Sequence, residues 1–261
     1  MNIKFNPMNK IIILLGYDYT SALQDIVNDE NIFCLILEND KKYFSENNLA
    51  ILEKKMGGRL YHSNIKPNDV ENIVSQTEAN NLLTLGWRKL IDVNKFHGMD
   101  YLINVHPALL PEYKGYHPVP YVILNEEKRH GVTAHLITPE MDAGEIVLKE
   151  SFNINPFSTI KSLQDEVMNL MPSFLNKLVN QIKKNEISLS PNIDEKTIIK
   201  APKRKPEDSK IELKDTLYEV FKKFKASDPN RFPAYFEYMG EKIYISMRRD
   251  ESAERKNKFD I

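Results

Sequence analysis

The scarcities of this 261-residue chain narrow its chemistry before any motif is read. It has one cysteine, Cys34, set inside the apolar run IFCLIL. A disulfide framework is therefore excluded, and a buried, poorly nucleophilic thiol is expected. Its 9 glycines form neither G-x-G-x-x-G nor G-x-x-x-x-G-K-[ST], which disfavours a nicotinamide or ATP enzyme of the usual kind. No Cys/His cluster has zinc-ligand spacing, so no metal is expected. There is no G-x-S-x-G elbow to present a nucleophilic serine. No apolar run approaches the ~18 residues of a membrane helix. The early run IIILLG is only a strand's length and meets polar residues, unlike a signal peptide. A cytoplasmic protein without a membrane partner is the expectation. Neither sign of charge dominates: 36 Lys and Arg against 37 Asp and Glu leave −1, which argues against a dedicated nucleic-acid surface.

What is present is ordinary globular composition, 41% hydrophobic and 28% charged, in a chain long enough for a sizeable core. Short continuous apolar runs at 11–15, 32–37, 82–85 and 101–105 read as strands buried on both faces. TSALQDIVNDE, DKKYFSENNLAILEKKM and PNDVENIVSQTEANN between them have helical spacing. The fold class expected is α/β, a doubly wound, Rossmann-like, mainly parallel sheet. Ligands on such sheets bind beyond the carboxyl ends of the strands. GVTAHLI (131–137) and IVLKESFNI (146–154) read as further strands. Ser158 is placed to cap a long helix that Pro172 should kink or break. SPNID (190–194) and APKRKPEDSK (201–210) read as linker, LKDTLYEVFKKFKA as a helix, and 232–247 as a hairpin turning at Met239-Gly240. The tail from Arg248 is charged and expected to fray. The division expected is a catalytic domain over 1–190, then a linker and a small helix and hairpin subdomain over 191–261.

LINVHPALLPEYKGYHPVP (102–120) concentrates histidine and proline at the end of one strand. Asn104, His106, His135 and Asp142 are the candidates for chemistry. Singly, each has an ordinary structural reading: a strand-end turn, a hydrogen-bonded histidine before proline, an exposed histidine opposite Val132 and Ala134, a turn former. Asn-x-His does place both side chains on one side of an extended backbone.

Together the residues resemble a known family. N-x-H-P-x-L-L-P-x-Y-x-G from Asn104, then G-V-T-x-H, then D-x-G-x-I ending at Ile146, are similar to the formyltransferases that draw a formyl group from N10-formyltetrahydrofolate. LLTLGWRKLI (82–91) and KRKPEDSKIEL (203–213) extend the resemblance to roughly residues 10–215. The resemblance implies direct attack of an amine on the formyl carbon through a tetrahedral intermediate. Asn104 would donate to the oxyanion, His106 would move protons, and Asp142 would orient His106 and relay protons through water. It implies a folate site built from Trp87, Arg88, Ala108, Leu109, Leu110, Pro111 and Met141. Many members carry serine where this chain has Ala108, which removes a hydroxyl and leaves the backbone contact.

The amine acceptor is read from the C-terminal part. From Lys200 onward there are 16 Lys and Arg against 12 Asp and Glu, hence +4, too mild an excess for a tRNA surface. The short appendage looks most like that of the sugar N-formyltransferases. An acceptor nucleotide-linked amino-dideoxy sugar, with dTDP as the carrier, follows from that likeness. Tyr116, His135, Lys203, Arg204 and Tyr218 are its expected contacts. The alternatives are a methionyl-tRNA formyltransferase with a reduced C-terminus, or a non-catalytic nucleotide-sugar or folate-binding module. A homodimer through the hairpin edge is expected.

Overall fold

The computed structural model describes residues 9–38, 40–61, 67–193 and 199–248. The charged tail from Arg249 lies outside the described residues, as does Asp194 of the expected linker. The chain divides into two compact units. The first comprises Met1–His106, Val132–Glu150 and Met168–Ile193; the second comprises Pro107–Gly131, Ser151–Val167 and Asp194–Ile261.

In the first unit the apolar runs become strands. β1 (Ile11–Leu15), with every residue buried, is joined through α1 (Thr20–Leu23) to β2 (Ile32–Leu37). α2 (Asp40–Tyr43) and α3 (Glu46–Met56) lead to the short β3 (Leu60–Tyr61), and α4 (Pro67–Ser75) leads to β4 (Asn81–Leu85). β5 (Tyr101–His106) is followed by β6 (Tyr113–Gly115) and α5 (Pro118–Leu124), both of the second unit, and then by β7 (Arg129–Leu136) and β8 (Ile146–Asn153). The main sheet has seven strands in the order β3-β2-β1-β4-β5-β7-β8. The pairs β1 with β2, β1 with β4, β2 with β3 and β4 with β5 are parallel, and β7 runs antiparallel to β5. This is the doubly wound α/β sheet expected from the continuous apolar runs. Cys34 is wholly buried in β2, and burial pushes its thiol up to about 12.

Several helical stretches are shorter than their periodicity predicts. α1 ends at Leu23 because Asp25, Asn28 and Asp29 favour turns; the Asp29 carboxylate accepts from the Asn31 backbone. The stretch 40–56 is two helices, parted where the Ser45 hydroxyl accepts from the Asn48 N–H and caps α3. α6 (Ile160–Lys184) runs through Pro172 without the break that was one of the two outcomes expected there. Thr159 and Ser162, rather than Ser158, close its start, each backbone N–H bonding the other's hydroxyl.

In the second unit, 201–210 contributes structure where only linker was expected. β9 (Ile199–Ala201) pairs in parallel with β6, and Pro206–Ser209 forms a 3₁₀ turn. Ala201 packs against Gly115, whose missing Cβ leaves room for the Ala201 carbonyl. α7 (Leu217–Lys225) starts with a Thr216/Glu219 capping box. β10 (Tyr235–Tyr238) and β11 (Glu241–Tyr244) form the hairpin, with Met239 and Gly240 both at positive φ in its turn. Ala108, Tyr113, Val119, Val122, Ile123, Ile160, Leu163 and Ala226 form this unit's core.

At the crossing from β1 to β4 two backbones nearly touch. A Cβ on Gly16 would lie 1.9 Å from the Gly86 carbonyl oxygen. Gly16→Ala should therefore destabilise the protein by about 1–3 kcal/mol or more, read as a lowered midpoint in chemical denaturation; an unchanged midpoint would contradict the close approach.

Candidate active site

Strand register assembles the site. Thr84 of β4 stands opposite Asn104 of β5, and Asn104 stands opposite His135 of β7. The three side chains join in a row across the sheet. The Thr84 hydroxyl donates to Asn104 Oδ1 at 2.7 Å, and Asn104 Nδ2 lies 3.1 Å from His135 Nε2. His135 Nδ1 lies 2.9 Å from the Leu136 carbonyl. A carbonyl only accepts, so Nδ1 carries the hydrogen, and in the neutral ring Nε2 accepts from Asn104.

The ordinary structural reading of His135, an exposed histidine, does not hold: it is 2% exposed. Alternation does put it opposite Val132 and Ala134, but β7 is an interior strand between β5 and β8, buried on both faces. His106, two residues beyond Asn104, is 4% exposed, and its ring centroid lies 6.4 Å from that of His135.

Asp142 sits between the two imidazoles. Its Oδ1 is 3.4 Å from His135 Nε2 and its Oδ2 is 3.5 Å from His106 Nδ1. The loop between β7 and β8 delivers it. Leu136 N donates to the Glu145 carbonyl at 2.9 Å, and a Cβ on Gly144 would lie 1.9 Å from the Leu136 carbonyl. The G of D-x-G is thus a close-approach requirement. Asp142 itself adopts φ 52. Buried Asn192 closes the loop from outside, donating to the carbonyls of Asp142 and Gly144 at 2.9 and 2.8 Å. Asn192 was missed at the level of sequence, 50 residues from its partner; Thr84 was missed too, although a polar residue inside the apolar run LLTL is a signal. The cluster offers a carboxylate flanked by two imidazoles beside a side-chain amide, a set suited to moving protons and holding a developing oxyanion.

A family model described as Formyl transferase matches residues 36–179, more than half of the chain, including Thr84, Asn104, His106, His135 and Asp142. The chain belongs to the formyl transferase family.

Among its relatives in this family, a methionyl-tRNA formyltransferase of Fusobacterium nucleatum is 26% identical over 194 residues, 72% of this chain and 58% of that protein. The chain spans about half the length of the curated relatives it matches. Two solved structures share the fold. A 4-N formyltransferase from Francisella tularensis superposes with a TM-score of 0.72 at 18% identity, covering 94% of this chain and 99% of that one. An N-formyltransferase from Helicobacter canadensis, solved with folinic acid and dTDP-3-aminofucose, gives 0.69 at 22% identity, covering 84% and 80%.

The remaining residues expected to act in a formyl transferase are dispersed. In the first unit, Trp87 packs against the core cluster around Ile12, Val70 and Phe96, and its indole Nε1 is buried with no partner among the described residues. Exposed Arg88 lies over Tyr43 and Tyr17, 3.6 and 4.6 Å from their centroids, with its Nε 3.5 Å from Glu38. Met141 is exposed beside Asp142 in sequence. In the second unit, Ala108 and Leu110 are buried in packing while Leu109 and Pro111 are half-buried. Tyr116 and Lys203 are exposed, and the Tyr218 hydroxyl donates to Glu126. Arg204 departs from its expected role as a phosphate contact. It is 6% exposed, and its Nη2 donates to the Asp208 carbonyl, the Ser209 hydroxyl and the Ala226 carbonyl, which ties β9 to the end of α7.

The Arg204 backbone N–H donates to His117 Nδ1 at 2.9 Å. Burial, then the charges of Arg231, Lys203 and Arg204, hold the His117 pKa below its ordinary value. A depressed folded-state pKa makes this stabilisation complete above the unfolded value of about 6.5 and lost as pH falls through the folded value. The His117 ring should titrate below 6.5 by NMR, and stability should fall on acidification by more in the wild type than in His117→Asn.

Proposed function

We propose that this protein transfers a formyl group from N10-formyltetrahydrofolate to the amino group of a nucleotide-linked amino-dideoxy sugar, with dTDP as the carrier. The observation that carries formyl transfer is the buried cluster at the end of β5, in a chain of the formyl transferase family. The donor supplies the formyl carbon; the chain's residues do the rest. One N–H of the Asn104 amide is engaged by His135, and the other donates to the formyl oxygen as charge builds there. His106 receives a proton from the attacking amine and returns one to the departing nitrogen. Asp142, held by Asn192, orients His106 and stabilises its charged form. Trp87, Arg88, Ala108, Leu109, Leu110, Pro111 and Met141 remain the residues proposed for the donor, and Tyr116, His135, Lys203 and Tyr218 for the acceptor.

Support for a sugar acceptor comes from the compact C-terminal part, one capped helix and one hairpin among the described residues, and from the fold shared with the Francisella and Helicobacter enzymes. A second reading is favoured by a specific observation: curated relatives are methionyl-tRNA formyltransferases. In that case the acceptor is a tRNA-linked amine. We also propose catalysis within residues 1–190, a C-terminal subdomain from 191, a homodimer, and a cytoplasmic location. Among the described residues no helix is long and apolar enough to cross a membrane.

Incubation with N10-formyltetrahydrofolate and a panel of dTDP- and UDP-linked amino sugars, beside initiator methionyl-tRNA, decides between the acceptors by mass spectrometry. A formyl adduct on a nucleotide sugar is expected; an adduct only on tRNA overturns the sugar reading. His106→Ala should lower kcat by at least about 10²-fold while folinic acid binding, followed by calorimetry, is retained. Undiminished turnover would remove His106 from the mechanism.

A further inference from the structure

Thr84 is a buried polar residue inside β4. It is 2% exposed among leucines, where a hydroxyl without a partner would cost stability. Its side chain makes one hydrogen bond, to Asn104 Oδ1 at 2.7 Å. That bond and the one to His135 Nε2 hold the amide of Asn104 from its two ends. The χ2 well of asparagine is broad and roughly two-fold, so packing alone does not choose between its oxygen and nitrogen. In the observed orientation Oδ1 accepts from Thr84, one N–H of Nδ2 meets His135 Nε2, and the second N–H has no partner among the described residues. Turning the amide over would place Oδ1 against His135 Nε2. That nitrogen carries no hydrogen in the neutral tautomer selected by the Leu136 carbonyl.

We propose that Thr84 is a positioning residue for formyl transfer: its hydroxyl locks the Asn104 amide so that the second N–H points at the oxygen that gains charge. The inference rests on the formyl-transfer reading and adds to it a residue from a neighbouring strand. A donor on the amide oxygen also polarises the group and strengthens its N–H as a donor. Valine at 84 keeps the shape and removes the hydroxyl. It leaves Oδ1 half-buried without a donor and the amide held from one end only, by His135.

The test is a double-mutant cycle with a conservative rescue. Thr84→Val should lower kcat by about tenfold, the effect of one ordinary hydrogen bond expressed in the transition state, with KM for donor and acceptor unchanged. Thr84→Ser should stay within about twofold of wild type. In an Asn104→Ala background, Thr84→Val should cost nothing more. Wild-type kcat in Thr84→Val, an equal loss in Thr84→Ser, or an undiminished loss beside Asn104→Ala would each overturn the role. A second measurement needs no acceptor. The side-chain ¹⁵N–¹H signals of Asn104, assigned by their disappearance in Asn104→Asp, should shift or broaden in Thr84→Val and not in Thr84→Ser. A wild-type protein inert toward every acceptor would overturn the formyl-transfer reading alone; unaltered Asn104 signals in Thr84→Val would overturn the positioning role itself.

Discussion

The register between β4, β5 and β7 is the constraint on which the site depends. Pairing of Thr84 with Asn104 and of Asn104 with His135 puts three polar side chains in one row across the sheet. A slip of one residue would send all of them to the other face. The apolar residues between them prevent that slip: Leu83, Ile103, Val105 and Ala134 are wholly or nearly buried and cannot exchange places with Thr84, Asn104 and His135 without loss of packing. The hydrophobic core thus sets the positions of the polar groups, although it makes no contribution to their chemistry.

Burying this cluster carries an electrostatic cost that the local structure offsets. Asp142 is 8% exposed, and a carboxylate so placed needs partners. It has two imidazoles at 3.4 and 3.5 Å, and its loop is closed by Asn192 and by the tight packing of Gly144 on Leu136. These distances are longer than those of tight hydrogen bonds. An arrangement that leaves room for proton movement contributes less to stability than a fully paired core would, a common compromise at working sites.

The order of the elements was largely legible because continuous apolar runs in an α/β chain have few other uses. The runs at 11–15, 32–37, 82–85 and 101–105 all lie within strands. Less legible were features that depend on local competition. Asx residues cut α1 short, Ser45 divided one helical stretch into two, and Ala201 at the start of 201–210 ends the strand β9, for which Gly115 leaves room. His135 shows a further limit. Alternation assigns a residue to a face of a sheet, but whether that face meets solvent depends on neighbours outside the window.

By itself, the order of residues determined the sheet's strands, the class of fold and the presence of Asn104, His106 and Asp142 in a formyl transferase pattern, because apolar periodicity and fixed spacing are local properties. Tertiary structure alone decided that Asp142 lies between two imidazoles, that Asn192 holds it, that Arg204 is buried and bonded to Asp208, Ser209 and Ala226, and that Thr84 reaches Asn104. Each of these joins residues far apart in the chain or on different strands. Their meeting is set by strand register and loop closure, which no short stretch of sequence contains.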